Sequence, residues 1–491
     1  MRNVFTANFV CTDCLRKNNN MNDRRRFLKY AGLVAGGLAT GAVKGWANGH
    51  PQLSSGPAGI QPPGPGIFNM CGYAAPKIET IRIGFIGLGN RGSEAVPRII
   101  HIDGVDVRAL CDIRADLVQQ AKNELKGTSH DPALYSGSEE VWKKLCQRED
   151  IDVVYIATPW AWHTTMAVYA MEHGKHVALE VPAAKTLEEC WALVNTSEKT
   201  KKHLIFLENE CYDFFELLTL NMARQGFFGE IIHGEGAYIH SIGESLFDPV
   251  RRPGLWRLAE NAARNGNLYP THGLGPVCVI MNINRGDKME YLTSMSSNDF
   301  SLHPYAVQLA AKDPNYTKYT DKHFRGNMNT TTIRTWKGRT IMLQHDTSSP
   351  RVKSSRYLIS GTRATAQCDA DTPRIATSHE GWVSQDVYGQ LEKQYTPAIV
   401  QKMGEMARVV GGHGGMDFLM DWRWIDCVRN GLPIDHDVYD AALWSCMSPL
   451  SEWSVAHRSS PVDIPDFTRG AWEKNTPVSL SIDHDHLTTA K

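Results

Sequence analysis

A glycine-rich turn near residue 90 constrains the fold of this chain more than any other feature. An apolar run over residues 81–89 leads into glycines spaced G-x-G-x-x-G, at Gly87, Gly89 and Gly92, and a helical pattern follows directly. Asp112 lies at the end of the next apolar run, 20 residues past the last glycine. A strand, a glycine turn, a helix and an acid at the end of the second strand are the parts of a dinucleotide-binding α/β unit.

These residue types fit NAD better than NADP. Glycines allow a tight turn and let a diphosphate approach the N-terminus of the following helix, where backbone N–H groups are free to bind it. The carboxylate of Asp112 can accept hydrogen bonds from the adenosine ribose, and its negative charge repels a 2′-phosphate. The alternative is a glycine-rich turn that holds no ligand. We expect bound NAD.

Apolar runs and helical patterns alternate as far as residue 210. Strands are predicted over 81–89, 105–113, 152–158, 176–180 and 203–208, with helices over 114–126, 138–147, 162–173 and 186–200. This alternation is typical of an α/β fold with a doubly wound parallel sheet. The sequence therefore predicts an N-terminal Rossmann domain over residues 78–210.

From residue 211 the pattern favours antiparallel strands. They are predicted over 231–240, 289–297, 328–346 and 356–367, with a hairpin turn at 336–339 and helices near 392–410, 416–430 and 437–447. We expect a substrate-binding α+β domain over 211–475 with a large, mostly antiparallel sheet, and a tail over 476–491. Such an open sheet can pair with a second copy of the chain, which leaves a homo-oligomer open.

The first 47 residues are typical of an export signal rather than of a folded domain. Residues 24–29 read RRRFLK, and an apolar stretch rich in Gly and Ala follows over 30–43. We predict a twin-arginine signal over residues 1–47, which engages the twin-arginine export machinery and directs the protein to the periplasm. An uncleaved membrane anchor is the alternative. Met21 is then a plausible true start, and residues 48–77, rich in Gly, Pro and Ser, form a linker.

Charge and cysteine content exclude several classes of protein. Lys and Arg number 52 and Asp and Glu 53, so a net charge of −1 gives no positive field for nucleic acid. The 11 cysteines are irregularly spaced, which argues against a disulfide framework. The acidic and histidine-containing stretch at 483–486 is interpreted as a frayed, solvated terminus, and we predict no metal site.

Several segments in one order resemble a known enzyme family. GLGNRG at 87–92, EVP at 180–182 and LYPTHG at 268–273 resemble the Gfo/Idh/MocA sugar oxidoreductases, which usually carry lysine where this chain has Val181. Glu-x-Pro without that lysine, together with GGHGGMD at 411–417, is similar to glycoside hydrolase family 109, the NAD-dependent α-N-acetylgalactosaminidases. The resemblance extends from about residue 78 to residue 475.

The resemblance implies a set of site residues. NAD would be held by the glycine loop together with Asn90, Arg91, Asp112, Trp160, His163, Glu180, Val181 and Asn209. The sugar would face Tyr212, Arg257, Tyr269, Pro270, Thr271 and His272. The family also places a tyrosine after a Ser-Pro-Arg-Pro-like stretch, where this chain offers only the nearby Tyr357. His413, among four glycines, is interpreted as a hinge or a lid.

The implied chemistry is redox-assisted hydrolysis with retention of configuration. Ordinary glycosidases need two carboxylates across the bond, but Glu208, Glu210 and Asp213 cluster at a strand end that would scatter them. Oxidation of the sugar at carbon 3, elimination across carbons 1 and 2, water addition and reduction would remove the need for that pair. We expect His272 to serve the carbon 3 hydroxyl and Tyr212 the carbon 2 proton, or the reverse.

Two details of this prediction depend on local structure. Thr271 is expected to cap a helix, and the positive helix end is expected to keep His272 neutral and ready to accept a proton. Two other functions stay open: a periplasmic NAD(P)-dependent sugar oxidoreductase, and a silent NAD-binding sugar sensor. Val181 speaks against the first, because valine has no group to deprotonate a hydroxyl. Intact Tyr212 and His272 speak against the second.

Overall fold

The computed structural model describes residues 57, 60, 62, 64–484 and 486–491. The predicted export signal and most of the predicted linker before residue 64 lie outside the described residues. In the described part of the chain, no helix combines the length and the apolar character that crossing a membrane requires.

The N-terminal part forms the predicted Rossmann domain around a parallel sheet of six strands. The strands are β1 Ile81–Ile86, β2 Val105–Cys111, β3 Ala133–Tyr135, β4 Val153–Ile156, β5 His176–Leu179 and β6 Leu204–Phe206. The helices are α1 Asn90–Ile99, α2 Ala115–Glu124, α3 Trp142–Cys146, α4 Trp160–Glu172 and α5 Leu187–Thr200. The order β3-β2-β1-β4-β5-β6 reverses direction between β1 and β4, and ligands bind such sheets outside the carboxyl ends of the strands at that point.

The second part contains a sheet of eight strands in the order β13-β12-β11-β7-β10-β9-β8-β14. They are β7 Ile231–Ile239, β8 Met289–Ser296, β9 Met328–Thr335, β10 Thr340–Asp346, β11 Tyr357–Gly361, β12 Thr365–Asp369, β13 Thr372–Ala376 and β14 Val462–Asp463. Among the described strands of this sheet, only β7 and β10 pair in parallel, so the prediction of a mostly antiparallel sheet is confirmed. The hairpin turn between β9 and β10 also falls where it was predicted.

Eight α-helices from residue 213 onward accompany this sheet within the described residues. They are α6 Phe214–Arg224, α7 Trp256–Ala263, α8 Thr271–Met281, α9 Leu302–Ala310, α10 Gln385–Tyr395, α11 Ala398–Val410, α12 Met416–Asn430 and α13 Val438–Ala456. The single helix expected near 392–410 is two helices, because Pro397 has no N–H to continue the first and begins the second.

Strand β7 and helix α8 touch backbone to backbone. A Cβ atom on Gly236 would lie 1.8 Å from the carbonyl oxygen of Gly273, so neither position accepts a side chain. Tyr238 is two residues beyond Gly236 and therefore shares its face of the sheet. This contact brings Tyr238 of the sheet next to His272 in the first turn of α8.

The C-terminal helices return to the Rossmann domain, so the boundary at residue 210 is less sharp than the sequence suggests. The Ala183 amide donates to Oγ of Ser445 in α13 over 2.9 Å. The tail also contacts the fold, since Nε1 of Trp422 donates to the Thr488 carbonyl and residue 490 bridges Ile102. The prediction of a frayed stretch at 483–486 is wrong at His484, whose Nε2 lies 2.9 Å from Asp426 Oδ2. The linker prediction also runs too far, because the Met70 amide donates to Tyr439 Oη over 3.1 Å.

A buried ion pair fastens α12 to the first Rossmann helix and gives a stability prediction. Arg98 Nε donates to the fully buried Asp421 carboxylate over 2.8 Å. Arg98→Met leaves the Asp421 carboxylate buried without its charged partner. We therefore expect a loss of about 3–5 kcal/mol in the free energy of unfolding, measured by urea denaturation. Lys122→Met, which breaks an exposed pair with Asp131, is the matched control and should leave the midpoint unchanged. Equal midpoints for the two variants would contradict the prediction.

Candidate active site

A cavity of about 350 Å³ opens at the carboxyl edge of the parallel sheet. Its walls come from the glycine loop, the ends of β2, β4 and β5, and the segment that precedes α7. Of the predicted site residues, it is lined by Gly87, Gly89, Asn90, Arg91, Asp112, Trp160, His163, Glu180, Val181, Arg257 and Tyr269. The structure therefore gathers most of the residues predicted for the cofactor at one place.

The glycine loop has the shape that a dinucleotide requires. A Cβ on Gly92 would lie 1.9 Å from the Gly87 carbonyl oxygen, and Gly87 itself has φ of +89°, so packing demands glycine at both. A Cβ on Gly89 would meet nothing within 4 Å, so this glycine leaves open space above the turn. Within the ranges that the structure describes, no side chain caps α1, which leaves its first N–H groups for a diphosphate.

Asp112 is fixed beside this loop by backbone donors. Its Oδ2 accepts the Leu88 amide over 2.7 Å and its Oδ1 accepts the Arg114 amide over 2.9 Å. A carboxylate oxygen accepts more than one hydrogen bond, so ribose hydroxyls can still bind. The position fits the adenosine end of NAD, as predicted.

Arg91 and Asn209 bind Asp417, which the sequence did not single out as a site residue. Arg91 Nη1 donates to Asp417 Oδ2 over 2.9 Å, and Asn209 Nδ2 donates to Oδ1 over 2.8 Å. His413 Nδ1 lies 2.9 Å from the same Oδ2. Burial alone would raise the pKa of Asp417, but His413 and Arg91 hold it well below its usual range. The glycine-rich segment 411–417 is thereby fastened to the cofactor loop.

Glu180 and His163 line the cavity, and each is held in place by polar contacts. Arg91 Nε donates to Glu180 Oε1 over 3.0 Å. The two ring nitrogens of His163 each lie 2.7 Å from a backbone carbonyl oxygen, those of Pro182 and Thr158. Burial lowers the pKa of His163. This histidine lines the cavity and lies between the segments that follow β4 and β5, and because a neutral imidazole carries a single N–H it donates to one of these two carbonyl oxygens.

His272 forms a dyad with Glu208. Its Nδ1 lies 2.6 Å from Oε1 of Glu208, whose side chain is fully buried. Burial alone would lower the pKa of His272, but the Glu208 carboxylate, with Glu210, outweighs it and raises the pKa. With Nδ1–H directed at Glu208, Nε2 is left as the atom that can exchange a proton with a substrate.

The expectation that the positive end of helix α8 sets the protonation of His272 is therefore wrong. Helix α8 begins at Thr271 and Pro270 stands at the cap position, and among the described residues no side chain caps the helix. The Thr271 hydroxyl is buried and has no hydrogen-bond partner in that part of the chain either. His272 does lie in the first turn, as predicted, but the negative partner at its ring, Glu208, dominates over the helix end.

Aromatic rings and one guanidinium surround the space next to His272. The ring centroids of Tyr238 and Tyr269 lie 5.5 and 4.8 Å from that of His272. The Arg257 guanidinium carbon is 4.9 Å from the Tyr269 ring, 5.2 Å from Trp160 and 5.9 Å from Tyr238. This group joins the cofactor cavity to the dyad and is the candidate sugar site.

Two predicted tyrosines do not face this site. The Tyr212 hydroxyl donates to Oδ2 of Asp435 over 3.1 Å in the core, and burial followed by that carboxylate raises its pKa well above the usual value. The Tyr357 hydroxyl lies 2.9 Å from Thr219 Oγ1 and is also buried. Both assignments to the substrate are wrong, because each side chain is directed into packed protein.

Tyr238 takes the place next to His272 that the sequence assigned to Tyr212. Its hydroxyl lies 3.3 Å from Nδ1 of His240. Glycines at 234 and 236 precede it at two-residue spacing, and this alternation is the signal that could have identified the face of β7 packed on α8.

The structure brings two of the three clustered acids closer together than expected. The three are Glu208, Glu210 and Asp213, which were expected to be directed to different places at the strand end. Glu208 and Glu210 both influence His272, and the Glu210 carboxylate accepts the Ser355 hydroxyl over 3.1 Å. Asp213 instead caps α6 through the Phe215 amide. The two glutamates therefore act on one histidine.

The fold alone defines a class. Residues 81–207 match the family described as "Oxidoreductase family, NAD-binding Rossmann fold". A levoglucosan dehydrogenase solved with NADH and L-sorbose matches with a TM-score of 0.59 at 18% identity, over 79% of this chain and all of that one. The myo-inositol 2-dehydrogenase of Lactobacillus plantarum matches with a TM-score of 0.53 at 17% identity, over 78% and 99%. The protein is an NAD-binding protein of this two-domain class.

The sequence relatives specify the family. Residues 212–474 match "Glycosyl hydrolase 109, C-terminal domain". The chain is 44% identical over 466 residues to an alpha-N-acetylgalactosaminidase of Shewanella oneidensis, covering 93% of this chain and 98% of that one. It is 48% identical over 427 residues to a glycosyl hydrolase family 109 protein of Bacteroides fragilis, covering 83% and 89%. The chain belongs to glycosyl hydrolase family 109.

Substitutions at Tyr212 and Tyr238 are expected to have opposite effects on stability and on turnover. Tyr212→Phe removes a buried hydrogen bond to a carboxylate, so we expect a loss of about 1–2 kcal/mol in unfolding free energy with glycoside turnover unchanged. Tyr238→Phe should lower kcat by about 10²-fold, the size of a lost proton-transfer group, with stability unchanged. Urea denaturation and turnover of each purified variant test this. A turnover defect confined to Tyr212→Phe would restore the original assignment.

Proposed function

We propose that the protein hydrolyses terminal α-linked N-acetylgalactosamine, or a related hexose, with retention of configuration and with tightly bound NAD. The observation that carries the proposal is the His272–Glu208 dyad. It lies where the cofactor cavity meets the group formed by the Trp160 and Tyr269 rings and the Arg257 guanidinium. The Shewanella oneidensis relative, an alpha-N-acetylgalactosaminidase at 44% identity, supports the substrate.

When bound, NAD supplies oxidation of the sugar at carbon 3 and the matching reduction at the end of the same turnover. His272 Nε2 accepts the proton of the carbon 3 hydroxyl as that carbon becomes a ketone. The buried Glu208 carboxylate stabilises the imidazolium that results, because opposite charges 2.6 Å apart in a buried site attract strongly. On reduction the same nitrogen returns the proton to the hydroxyl.

A ketone at carbon 3 makes the neighbouring carbon 2 proton acidic. Tyr238 is the group we assign to that proton, since it lies beside His272 and its hydroxyl lies 3.3 Å from His240 Nδ1 as a proton outlet. When that proton is removed, its electron pair forms a double bond between carbons 2 and 1, and the bond from carbon 1 to the leaving oxygen breaks, so that this oxygen takes up a proton and departs as the free aglycone. Water then adds at carbon 1 on the same face, carbon 2 regains a proton, and configuration is retained.

Val181 favours this route over net sugar oxidation. It lies 3% exposed at the cavity wall and has no polar atom to position a hydroxyl. A protein that regenerates its cofactor in each turnover benefits from tight cofactor binding.

We also propose export to the periplasm by the twin-arginine pathway, on the strength of the arginines at 24–26 and the apolar stretch after them.

Isotope incorporation tests the reaction. Purified protein, with no added cofactor, is incubated with an aryl α-N-acetylgalactosaminide in deuterated water. We expect release of the aryl group together with deuterium at carbon 2 of the sugar, because the carbon 2 proton exchanges during elimination. NADH accumulating from free sugars would indicate an oxidoreductase, and no reaction with either would indicate a sugar sensor.

The dyad predicts the acid side of the pH profile. His272 must be neutral to accept a proton, so kcat/KM should fall as the pH drops through a pKa above that of an ordinary histidine. Glu208→Gln removes the charge that raises this pKa, so the acid limb should move to lower pH while kcat falls. Glu230→Gln, at an exposed position, is the control. An acid limb that does not move in Glu208→Gln would contradict the assignment of His272.

A further inference from the structure

The cofactor cavity is bordered on one side by a segment of the second domain. Residues 241–255, here called the strap, follow β7 and lead into α7, and they contain the 3₁₀ turns Glu244–Phe247 and Pro253–Leu255. Arg251 and Arg252 of the strap line the same cavity as the glycine loop. The cavity therefore has one wall from the Rossmann domain and another from the strap.

The guanidinium of Arg252 forms neither an ion pair nor a hydrogen bond with any residue that the structure describes. Its Nε atom is buried, although the side chain lines the cavity. The acid nearest to it in the chain, Asp248, uses its Oδ1 to accept the amides of Val250 and Arg251 over 2.8 and 3.1 Å. A buried donor without a partner is costly, so this nitrogen is suited to bind a ligand in the cavity.

The cations on the Rossmann wall of the cavity already have acidic partners. Arg91 donates to both Asp417 and Glu180, and Arg114 pairs with Asp116. The glycine loop therefore offers backbone N–H groups to a diphosphate, but these two arginines add no unpaired positive charge to it. Each phosphate of NAD carries a negative charge, and the unpaired guanidinium groups of the strap are the ones available to balance it.

The carboxylates of the cavity do not compete for the strap. Asp112, Glu139 and Glu180 line the cavity, and the first and last of them accept hydrogen bonds within the Rossmann domain. Throughout the described part of the chain, none of the three forms an ion pair with Arg251 or Arg252. An anion in the cavity therefore meets backbone donors on one wall and unpaired positive charge on the other.

The strap packs in an apolar cluster of its own. Leu246 and Phe247 are buried in one cluster with Leu258 of α7 and Leu302 of α9, and this cluster is separate from the main core. The Tyr316 hydroxyl donates to the Phe247 carbonyl over 2.8 Å. A small satellite cluster under a long loop has fewer buried apolar contacts than a main core, so it opens at a lower free-energy cost.

Two contacts fasten the end of the strap to the Rossmann wall. Trp256, the first residue of α7, lies edge-on to Trp160 at the start of α4, with ring centroids 5.2 Å apart. Lys185 Nζ donates to Glu260 Oε1 over 2.6 Å. These contacts hold the arginines of the strap at the cavity, whereas the rest of the strap depends on the satellite cluster.

We propose that the strap is a cofactor clamp: Arg252, assisted by Arg251, binds the diphosphate of NAD from the strap wall of the cavity, and this contact sets how slowly NAD is released. A guanidinium suits the role because its planar N–H groups bind phosphate oxygens in pairs. The clamp accounts for tight binding by a group outside the Rossmann domain. This inference depends on NAD binding and not on the proposed glycoside reaction.

Release of NAD from the full-length holoenzyme tests the inference without glycoside turnover. The purified protein is mixed with formate dehydrogenase and formate, so that each NAD molecule that leaves the site is reduced to NADH and detected by its absorbance. We expect Arg252→Met to release NAD about tenfold faster than the wild type, or more, because hydrogen bonds to a charged phosphate are lost. Arg251→Met should have a smaller effect in the same direction, since Arg251 is exposed.

Two further variants isolate the contribution of the guanidinium. Arg374→Met makes the same change at an exposed arginine of β13, outside the cavity lining, and should keep the wild-type release rate. Arg252→Lys keeps the charge but loses the paired N–H groups, so its release rate should lie between those of the wild type and Arg252→Met. The lysine variant also carries the test if the methionine variant does not fold.

The outcomes separate this inference from the proposed function. Equal release rates for the wild type and the Arg252 variants would overturn the clamp, and so would faster release that Arg374→Met shares. A raised KM for the aryl glycoside with an unchanged release rate would assign Arg252 to the sugar and also overturn it. Faster release confined to the strap variants, in a protein that hydrolyses no glycoside, would support the clamp and overturn the proposed function alone.

Discussion

The buried carboxylate of Asp417 is the interaction on which the cofactor site depends. It is fully buried, and it is shared by Arg91 from the glycine loop, Asn209 after the last parallel strand and His413 from the glycine-rich segment. A buried charge is tolerated only when it is paired and hydrogen-bonded. Three distant parts of the chain must therefore meet before the site is complete, and folding of the second domain becomes a condition for a formed cofactor loop.

The same requirement explains how His272, the histidine of the proposed mechanism, is positioned. Glu208 stands at the end of the parallel sheet and His272 at the start of the helix packed on the antiparallel sheet. Their 2.6 Å contact forms only where the two sheets are joined, and backbone contact between Gly236 and Gly273 fixes how closely the helix approaches. The pKa of His272 is thus a property of the domain arrangement more than of its own helix.

The cofactor half of the site was predictable from the sequence, whereas the sugar half was predictable only in part. The glycine loop and Asp112 come from one continuous stretch whose spacing is imposed by the ligand. The sequence predicts His272 at this site, but it favours Tyr212 where the structure places Tyr238. Both are tyrosines near polar residues, and only the register of β7 on α8 decides which hydroxyl is directed into the site. Such register depends on packing between segments that are distant in the chain.

The charge of the whole chain illustrates the same limit. A net charge of −1 excludes a surface that binds nucleic acid through excess positive charge, and it fits a neutral sugar. Composition carries no information about where the charges lie. Among the residues that the structure describes, acids such as Asp346 and Asp417 are buried and hydrogen-bonded to their own neighbours, whereas Arg257 forms no ion pair and lies against three aromatic rings. A chain whose positive and negative charges balance overall can therefore hold a local excess of positive charge at its candidate sugar site, because the fold decides where each charge lies and the composition gives only their number.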